Sequence, residues 1–398
     1  NKMKKKFAAM FMAAAMVFTM AACGQKADTP STPDAVGSGD QSGAEVQTFV
    51  LGSCGPLTGS AAIYGQAVVN GAELAVEEIN ASDSTVKFTF LKQDDEADSE
   101  KALNAYNTMM DEGMQVLVGP TTTGASLTVS DQTNADRTFM LTPSASSPDV
   151  TKDKDNVFQV CFTDPNQGVA SADYIADNKL GTKVGIIYDS SDAYSSGIYE
   201  KFKAEAAAKN LEIVTAEAFT ADNKSDLSTQ VAKCQQAGAD LVFLPIYYQE
   251  ASQILIAANK SGYAPVFFGC DGMDGILTIE GFDTSLAEGL MLLTPFAADA
   301  QDEKTQAFVS AYKEAYGDTP NQFAADAYDV VYAIYQAAVA GGINGDMDAS
   351  DVCDALKAQF TSMTFDGLTG DGMTWDASGA VSKAPKAVVI KDGAYAAM

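Results

Sequence analysis

From Phe49 onward, short apolar runs alternate with longer stretches whose apolar residues recur every three or four positions. The runs read as buried strands and the longer stretches as amphipathic helices. Phe49–Gly52 is a first strand, followed by a helix with Ala72, Ala75, Val76 and Ile79 on one face and Glu73 and Glu77 on another. Val86–Leu91 is the next strand, and Leu103, Tyr106 and Met110 mark a helix that stops at Gly113. Val116–Val118 and Phe139–Leu141 follow as strands around a short helix. The alternation restarts after Cys161-Phe162-Thr163-Asp164, with strands at Lys183–Tyr188, Glu212–Ala216, Leu241–Leu244 and Val266–Phe268 separated by helices. Repeated strand–helix–strand units predict mainly parallel sheets covered by helices, here as two successive arrays and hence two lobes. After a strand at Gly289–Leu293, two amphipathic helices ending near Gly317 and Gly341 bring no sheet of their own and are expected to pack back on the first lobe. Ala387–Ile390 belongs to a tail read as an antiparallel hairpin in the second lobe.

In parallel sheets, ligands bind beyond the carboxyl ends of the strands. Two strand ends of the first array run out into hydroxyls: Thr121-Thr122-Thr123-Gly124 and Thr142-Pro143-Ser144-Ala145-Ser146-Ser147. A helix beginning at Thr123 points free N–H groups and the positive end of its dipole at whatever lies in front, which suits a carboxylate. The same residues would serve equally as helix caps. Tyr64 from the first array, and Tyr194, Tyr247 and Asp271 from the second, add three aromatic rings and one acid. Together they suit a zwitterion with an apolar side chain: carboxylate on Thr123, Ser144 and Ser146, ammonium on Asp271, side chain among the rings. A tyrosine at a strand end can equally pack a lobe edge, and Asp271 in Gly-Cys-Asp-Gly can equally be a turn residue.

The N-terminus is of another kind. A basic head (Lys2, Lys4-Lys5-Lys6) precedes an apolar run, Phe7 to Ala22, too short to span a bilayer and suited to a signal peptide over residues 1–22. The run ends Met20-Ala21-Ala22-Cys23-Gly24, which resembles the lipobox of bacterial lipoproteins and makes Cys23 the expected site of lipidation; ordinary secretion with Cys23 merely nearby is the alternative. Residues 23–46, rich in Gly, Pro, Ser and Asp, read as a flexible tether.

Charge and composition act by exclusion. The chain carries −28, and since the first 22 residues hold four lysines and no acid, the remainder carries −32. Nucleic acid is a poor partner for that field, and contact with a membrane is expected only through the lipid. There is no histidine, which removes the commonest general base and the commonest zinc ligand. No Gly-x-Ser-x-Gly, no Gly-Lys-Ser/Thr loop and no identifiable carboxylate pair suggests catalysis. Asp346–Asp351 lacks the central Gly and terminal Glu of a calcium loop. No metal, no cofactor and no enzymatic turnover are expected. Cys54, Cys161, Cys234, Cys270 and Cys353 are scattered and read as small buried hydrophobes.

Over residues 47–395 the chain resembles the type I periplasmic binding proteins of ABC transporters, in particular the branched-chain amino-acid (Leu/Ile/Val) binding proteins. The resemblance rests on Gly55-Pro56-Leu57-Thr58-Gly59 with Tyr64-Gly65, Asn70-Gly71-Ala72-Glu73-Leu74-Ala75, Val118-Gly119-Pro120 with its Thr/Gly turn, Thr142-Pro143-Ser144-Ala145-Ser146, Tyr194, and Gly289-Leu290. It implies two doubly wound, mainly parallel α/β lobes joined by three crossover strands and closing on ligand like a flytrap. Residues 47–163 and 296–366 would form lobe 1, and 164–295 and 367–398 lobe 2. Carried over by motif, the family's carboxylate-binding serine falls on Thr123, its second carboxylate site on Ser144, Ala145 and Ser146, and its aromatic walls on Tyr64, Tyr194, Tyr247 and Phe323. Its ammonium-binding glutamate falls on Asp271, one methylene shorter. The expectation is a monomeric, lipid-anchored extracytoplasmic protein that hands an amino acid, branched-chain or otherwise aliphatic, to an ABC permease. The alternatives are an amide or aromatic acid as ligand, a sensor role, or an extracellular hydrolase.

Overall fold

The computed structural model describes residues 45–398; the leader, Cys23 and the tether up to residue 44 lie outside them. The chain opens with β1 (Gln47–Gly55), α1 (Ala62–Ala81), β2 (Val86–Asp94), α2 (Ser99–Asp111), β3 (Val116–Val118), α3 (Thr123–Asp136), β4 (Phe139–Thr142) and β5 (Val157–Gln159). These strands form a parallel sheet in the order β2-β1-β3-β4-β5. β3 and β4 are buried at every position, as strands covered on both faces must be, so their runs are uniformly apolar rather than alternating.

The chain then enters a second lobe with α4 (Asp164–Asp177), β6 (Lys183–Asp189), α5 (Ala193–Ala208), β7 (Glu212–Phe219), α6 (Ser228–Gln236), β8 (Leu241–Leu244), α7 (Tyr248–Ser261), β9 (Val266–Gly269) and β10 (Met291–Thr294). It returns through α8 (Glu303–Tyr316), α9 (Gln322–Gly341) and α10 (Ala349–Phe360), and ends in β11 (Lys386–Lys391) and β12 (Ala394–Ala397). The second sheet has the order β12-β11-β10-β9-β8-β6-β7. It is parallel from β10 to β7, with β11 and β12 added antiparallel as the expected hairpin. The chain passes between the two sheets three times: after β5, after β10 and before β11.

The returning helices pack on the first lobe. α9 lies so close to α1 that a Cβ at Gly71 would stand 2.0 Å from the Ala324 carbonyl oxygen. α10 closes the far side, where Phe360 packs against Phe139, Phe158 and Trp375 with ring centroids 4.9–5.5 Å apart. Residues 367–383, expected in lobe 2, make their side-chain bonds to α9 and β5. The Trp375 indole donates to the Gln159 carbonyl (2.8 Å), Asp329 accepts from the Leu368 and Thr369 amides (2.8 and 2.9 Å), and the Lys383 ammonium meets Asp326 (2.7 Å). Only at Lys386 does the chain join the second sheet.

In detail the elements depart from the sequence reading in two ways. α2 buries Ala102, Ala105, Tyr106 and Met109, so the helix is turned from the face expected through Leu103 and Met110; two alanines allow the closer approach. β5, α4 and α10 are additional to the elements that periodicity marks. The first is three residues long, and α4 starts at Asp164 with Pro165 in its first turn, inside a stretch that reads as a connection. Cys54, Cys161, Cys234, Cys270 and Cys353 are all free and buried. Among the described residues, no helix is long and apolar enough to cross a membrane.

Candidate ligand-binding cleft

The carboxyl ends of both sheets face one another across a cavity lined by Tyr64, Thr121, Thr122, Thr123, Ser144, Tyr194, Tyr247, Asp271, Gly272 and Phe323. No lysine or arginine lines it. A larger groove between α6 and the C-terminal half of α7 opens on the outer surface instead.

On the first-lobe side, β3 delivers the Thr121-Thr122-Thr123 run to the start of α3. Thr122 is the N-cap residue by backbone geometry, yet its side chain makes no cap bond. The amides of Thr123, Gly124 and Ala125 find no acceptor among the described residues, since the first helical bond is from Ser126 N to Thr122 O. The hydroxyls of Thr121 and Thr122 are buried and unpartnered too. Capping thus leaves this helix end with free donors beside the cavity. The neighbouring loop is held rigidly. The Thr142 hydroxyl donates to Pro120 O (2.7 Å), and the Ser144 hydroxyl donates to Thr121 O (2.6 Å).

On the second-lobe side, Asp192 caps α5 by accepting from Ser195 N (2.9 Å), which sets Tyr194 in the first turn. The Tyr194 hydroxyl donates to Asp271 Oδ1 (2.6 Å) and accepts from Gly272 N (2.9 Å). The Asp271 amide donates to Gln167 Oε1 on α4 (3.0 Å). Burial pushes the Asp271 acid up to about 6, against the opposing pull of the Tyr194 hydroxyl. Burial also raises the phenols of Tyr64, Tyr194 and Tyr247, which stay neutral.

The rings close the cavity. Tyr247 stacks on Tyr194 (centroids 5.1 Å apart) and meets Tyr64 edge-on (5.2 Å), while Phe323 of α9 lies 4.6 Å from Tyr64. The space open to the centre of a water-sized sphere is about 20 Å³, room for about one water. An aliphatic side chain can enter only if the walls move apart.

Seven of the nine residues singled out from sequence line this cavity: Tyr64, Thr123, Ser144, Tyr194, Tyr247, Asp271 and Phe323. Ala145 and Ser146 sit one step behind it. Ala145 O accepts from Gln159 Nε2 (2.6 Å) and Ser146 O from Asp164 N (2.8 Å). Sequence reasoning passed over Thr121, Thr122 and Gly272, although the threonine run itself was the signal for the first two. Behind the cavity, Asp164 at the start of α4 is buried, and burial pushes its acid well above the usual range, against the pull of the Ser146 hydroxyl.

A family model described as periplasmic binding protein matches residues 48–394. The chain belongs to that family. This periplasmic binding protein is 27% identical over 329 residues, 81% of the chain and 85% of the relative, to the leucine-, isoleucine-, valine-, threonine- and alanine-binding protein of Pseudomonas aeruginosa. It is 32% identical over 228 residues to Leu/Ile/Val-binding protein homolog 3 of Brucella melitensis, a match that spans 56% of the chain and 61% of that relative. Among solved structures it is similar to LivJ of Streptococcus pneumoniae, a branched-chain amino acid transporter substrate-binding protein in complex with isoleucine. There the identity is 27% and the TM-score 0.79, covering 88% of this chain and 98% of the other. The resemblance drawn from the motifs is borne out, as is the pair of mainly parallel lobes. Such homologues bind solutes outside the cytoplasm and are not enzymes.

Proposed function

We propose that this periplasmic binding protein captures an α-amino acid with an aliphatic side chain between its lobes and delivers it to an ABC permease. The observation that carries the reading is the pairing of opposites across one cavity. The uncapped start of α3 with the Thr121 and Thr122 hydroxyls stands on one side, and buried Asp271 on the other. The carboxylate docks on the amides of Thr123 to Ala125, with Ser144 beside them; the ammonium meets Asp271; the side chain packs among Tyr64, Tyr194, Tyr247 and Phe323. Each charge-assisted hydrogen bond contributes about 1.5–3 kcal/mol, and burying a side chain of valine or leucine size about 1.5–3 kcal/mol. Ala145 and Ser146 support the carboxylate side from behind. Cys23 carries the lipid that holds the protein, as a monomer, on the outer face of the membrane by the 23–46 tether.

Isothermal titration against the full amino-acid set tests this, with Asp271→Asn beside the wild type. The expected result is binding of aliphatic amino acids and a 10- to 150-fold loss, roughly, in the variant. Absence of binding to every α-amino acid, with tight binding of an amide or aromatic acid, would overturn the ligand assignment.

A further inference from the structure

Two helices that face each other across the cleft lack caps of their own. The N-cap residue of α1 is Ala61 and that of α7 is Tyr247, and neither supplies a side-chain cap bond. The missing acceptors come from the opposite lobe. Ile63 N, in the first turn of α1, donates to the Tyr248 hydroxyl (3.3 Å). Tyr248 N, at the start of α7, donates to the Tyr64 hydroxyl (3.2 Å), which in turn donates to Gly272 O. The two rings meet edge-on, 4.9 Å between centroids at 87°, and both are buried. Each helix therefore has its first-turn amide satisfied by a tyrosine of the other lobe.

We propose that Tyr64 and Tyr248 form a reciprocal clasp that sets how firmly the lobes close. Tyr248, which does not line the cavity, is then a positioning residue that tunes affinity without touching the ligand. The physical basis is the helix terminus itself. Orphan first-turn amides seek an acceptor, and the closed arrangement supplies one to each helix at once. When the lobes part, both amides and the Gly272 carbonyl pass to water. The ligand-bound lobes keep the clasp in this proposal, so apparent affinity scales with the fraction of molecules able to close, and weakening the clasp weakens every ligand by one common factor. This inference rests on the proposed function, in which the lobes close on ligand.

The test uses Tyr248→Phe and Tyr64→Phe, which keep the rings and remove only the hydroxyls. Residue-resolved amide hydrogen exchange on the protein without added ligand gives a crossed pattern. Exchange at Ile63 speeds up in Tyr248→Phe and exchange at residue 248 speeds up in Tyr64→Phe, each about 2- to 10-fold, while the β3 and β4 amides stay as in the wild type. By titration, Tyr248→Phe raises Kd about 2- to 10-fold for each amino acid that binds, leaving the order of preference intact. Unchanged exchange at Ile63 in Tyr248→Phe would overturn the clasp, as would a change of preference among ligands. If the wild type binds no amino acid, the proposed function fails while the exchange pattern still decides the clasp.

Discussion

Lys383 offers the sharpest stability prediction. It stands just before the last passage between the lobes, with its ammonium 2.7 Å from Asp326 Oδ1 and 2.6 Å from the Thr369 hydroxyl. That hydroxyl donates onward to Asp329 Oδ2 (2.6 Å). The side chains of Lys383 and Asp326 are 2% and 3% exposed. In Lys383→Met the stem's volume is kept, but Asp326 is left buried without its counter-charge, a full cost wherever it is ionised. Removing one partner of such a pair costs about 3–5 kcal/mol. At about 2.1 cal/mol/K of unfolding entropy per residue over ~350 residues, 1 kcal/mol corresponds to about 1.4 °C, so Tm should fall by about 4–7 °C. Burial already pushes the Asp326 acid up to about 7 in spite of Lys383, and it rises further once the lysine is gone. A group whose folded pKa is raised contributes stability below its unfolded pKa near 4 and loses it as pH climbs through the folded value. The deficit is therefore small below pH 7, opens as pH climbs through the wild-type value, and reaches its full size only above the variant's higher value. Scanning calorimetry of both proteins from pH 5 to 10 measures it, with Lys383→Met/Asp326→Leu as the control that recovers most of the loss. A shift under about 1 °C, or one independent of pH, would refute the reasoning.

Two further outcomes follow from the cleft and the lobe packing. Because burial pushes the Asp271 acid up to about 6, amino-acid affinity should hold above that pH and fall by up to about tenfold per unit below it, as the carboxylate proposed to face the ammonium is protonated; titration calorimetry from pH 5 to 8 reads this, and a flat profile would remove Asp271 from the ammonium site. Gly71→Ala drives a methyl into the Ala324 carbonyl on α9, and a loss of at least about 1–3 kcal/mol is expected in denaturant unfolding; wild-type stability would mean that α1 and α9 are less tightly apposed.

The parts of the molecule that sequence made legible are those where local pattern and tertiary role agree. Apolar runs such as Val116–Val118 and Leu241–Leu244 are buried at every position and could be little else than central strands. The hydroxyl-rich strand ends stood out in sequence, and in the fold the Thr121 and Thr122 hydroxyls beside the cavity are buried with no partner among the described residues. What stayed hidden depends on long-range contact. α2 turned its alanine face inward because of the sheet beneath it, which no helical period records. α4 begins at Asp164-Pro165, a pair that reads as a turn until the burial of Gln167, Ser171 and Ile175 behind it is seen. The exchange of caps between Tyr64 and Tyr248 joins residues 184 positions apart, and nothing local marks it.

The shorter acid at position 271 has a physical reason. The Asp271 carboxylate is held by Tyr194, its amide by Gln167, and its side chain is 3% exposed, so it lies back against its own lobe rather than reaching across. In the proposed binding mode the ligand ammonium comes to it, while the carboxylate stays at the start of α3 and the side chain lies among the rings. Asp271→Glu restores the residue type carried by the resembling family, yet the cavity has only about 20 Å³ to receive the added methylene. The longer carboxylate would also lose its register with the Tyr194 hydroxyl. Overpacking by one methylene costs about 1–3 kcal/mol, so the variant should bind its best amino acid about 5- to 150-fold more weakly. Had the ammonium instead stood out of reach of Asp271, the added methylene would strengthen the contact. Tighter binding by Asp271→Glu in the same titration would therefore reject the packing reason for an aspartate at this position.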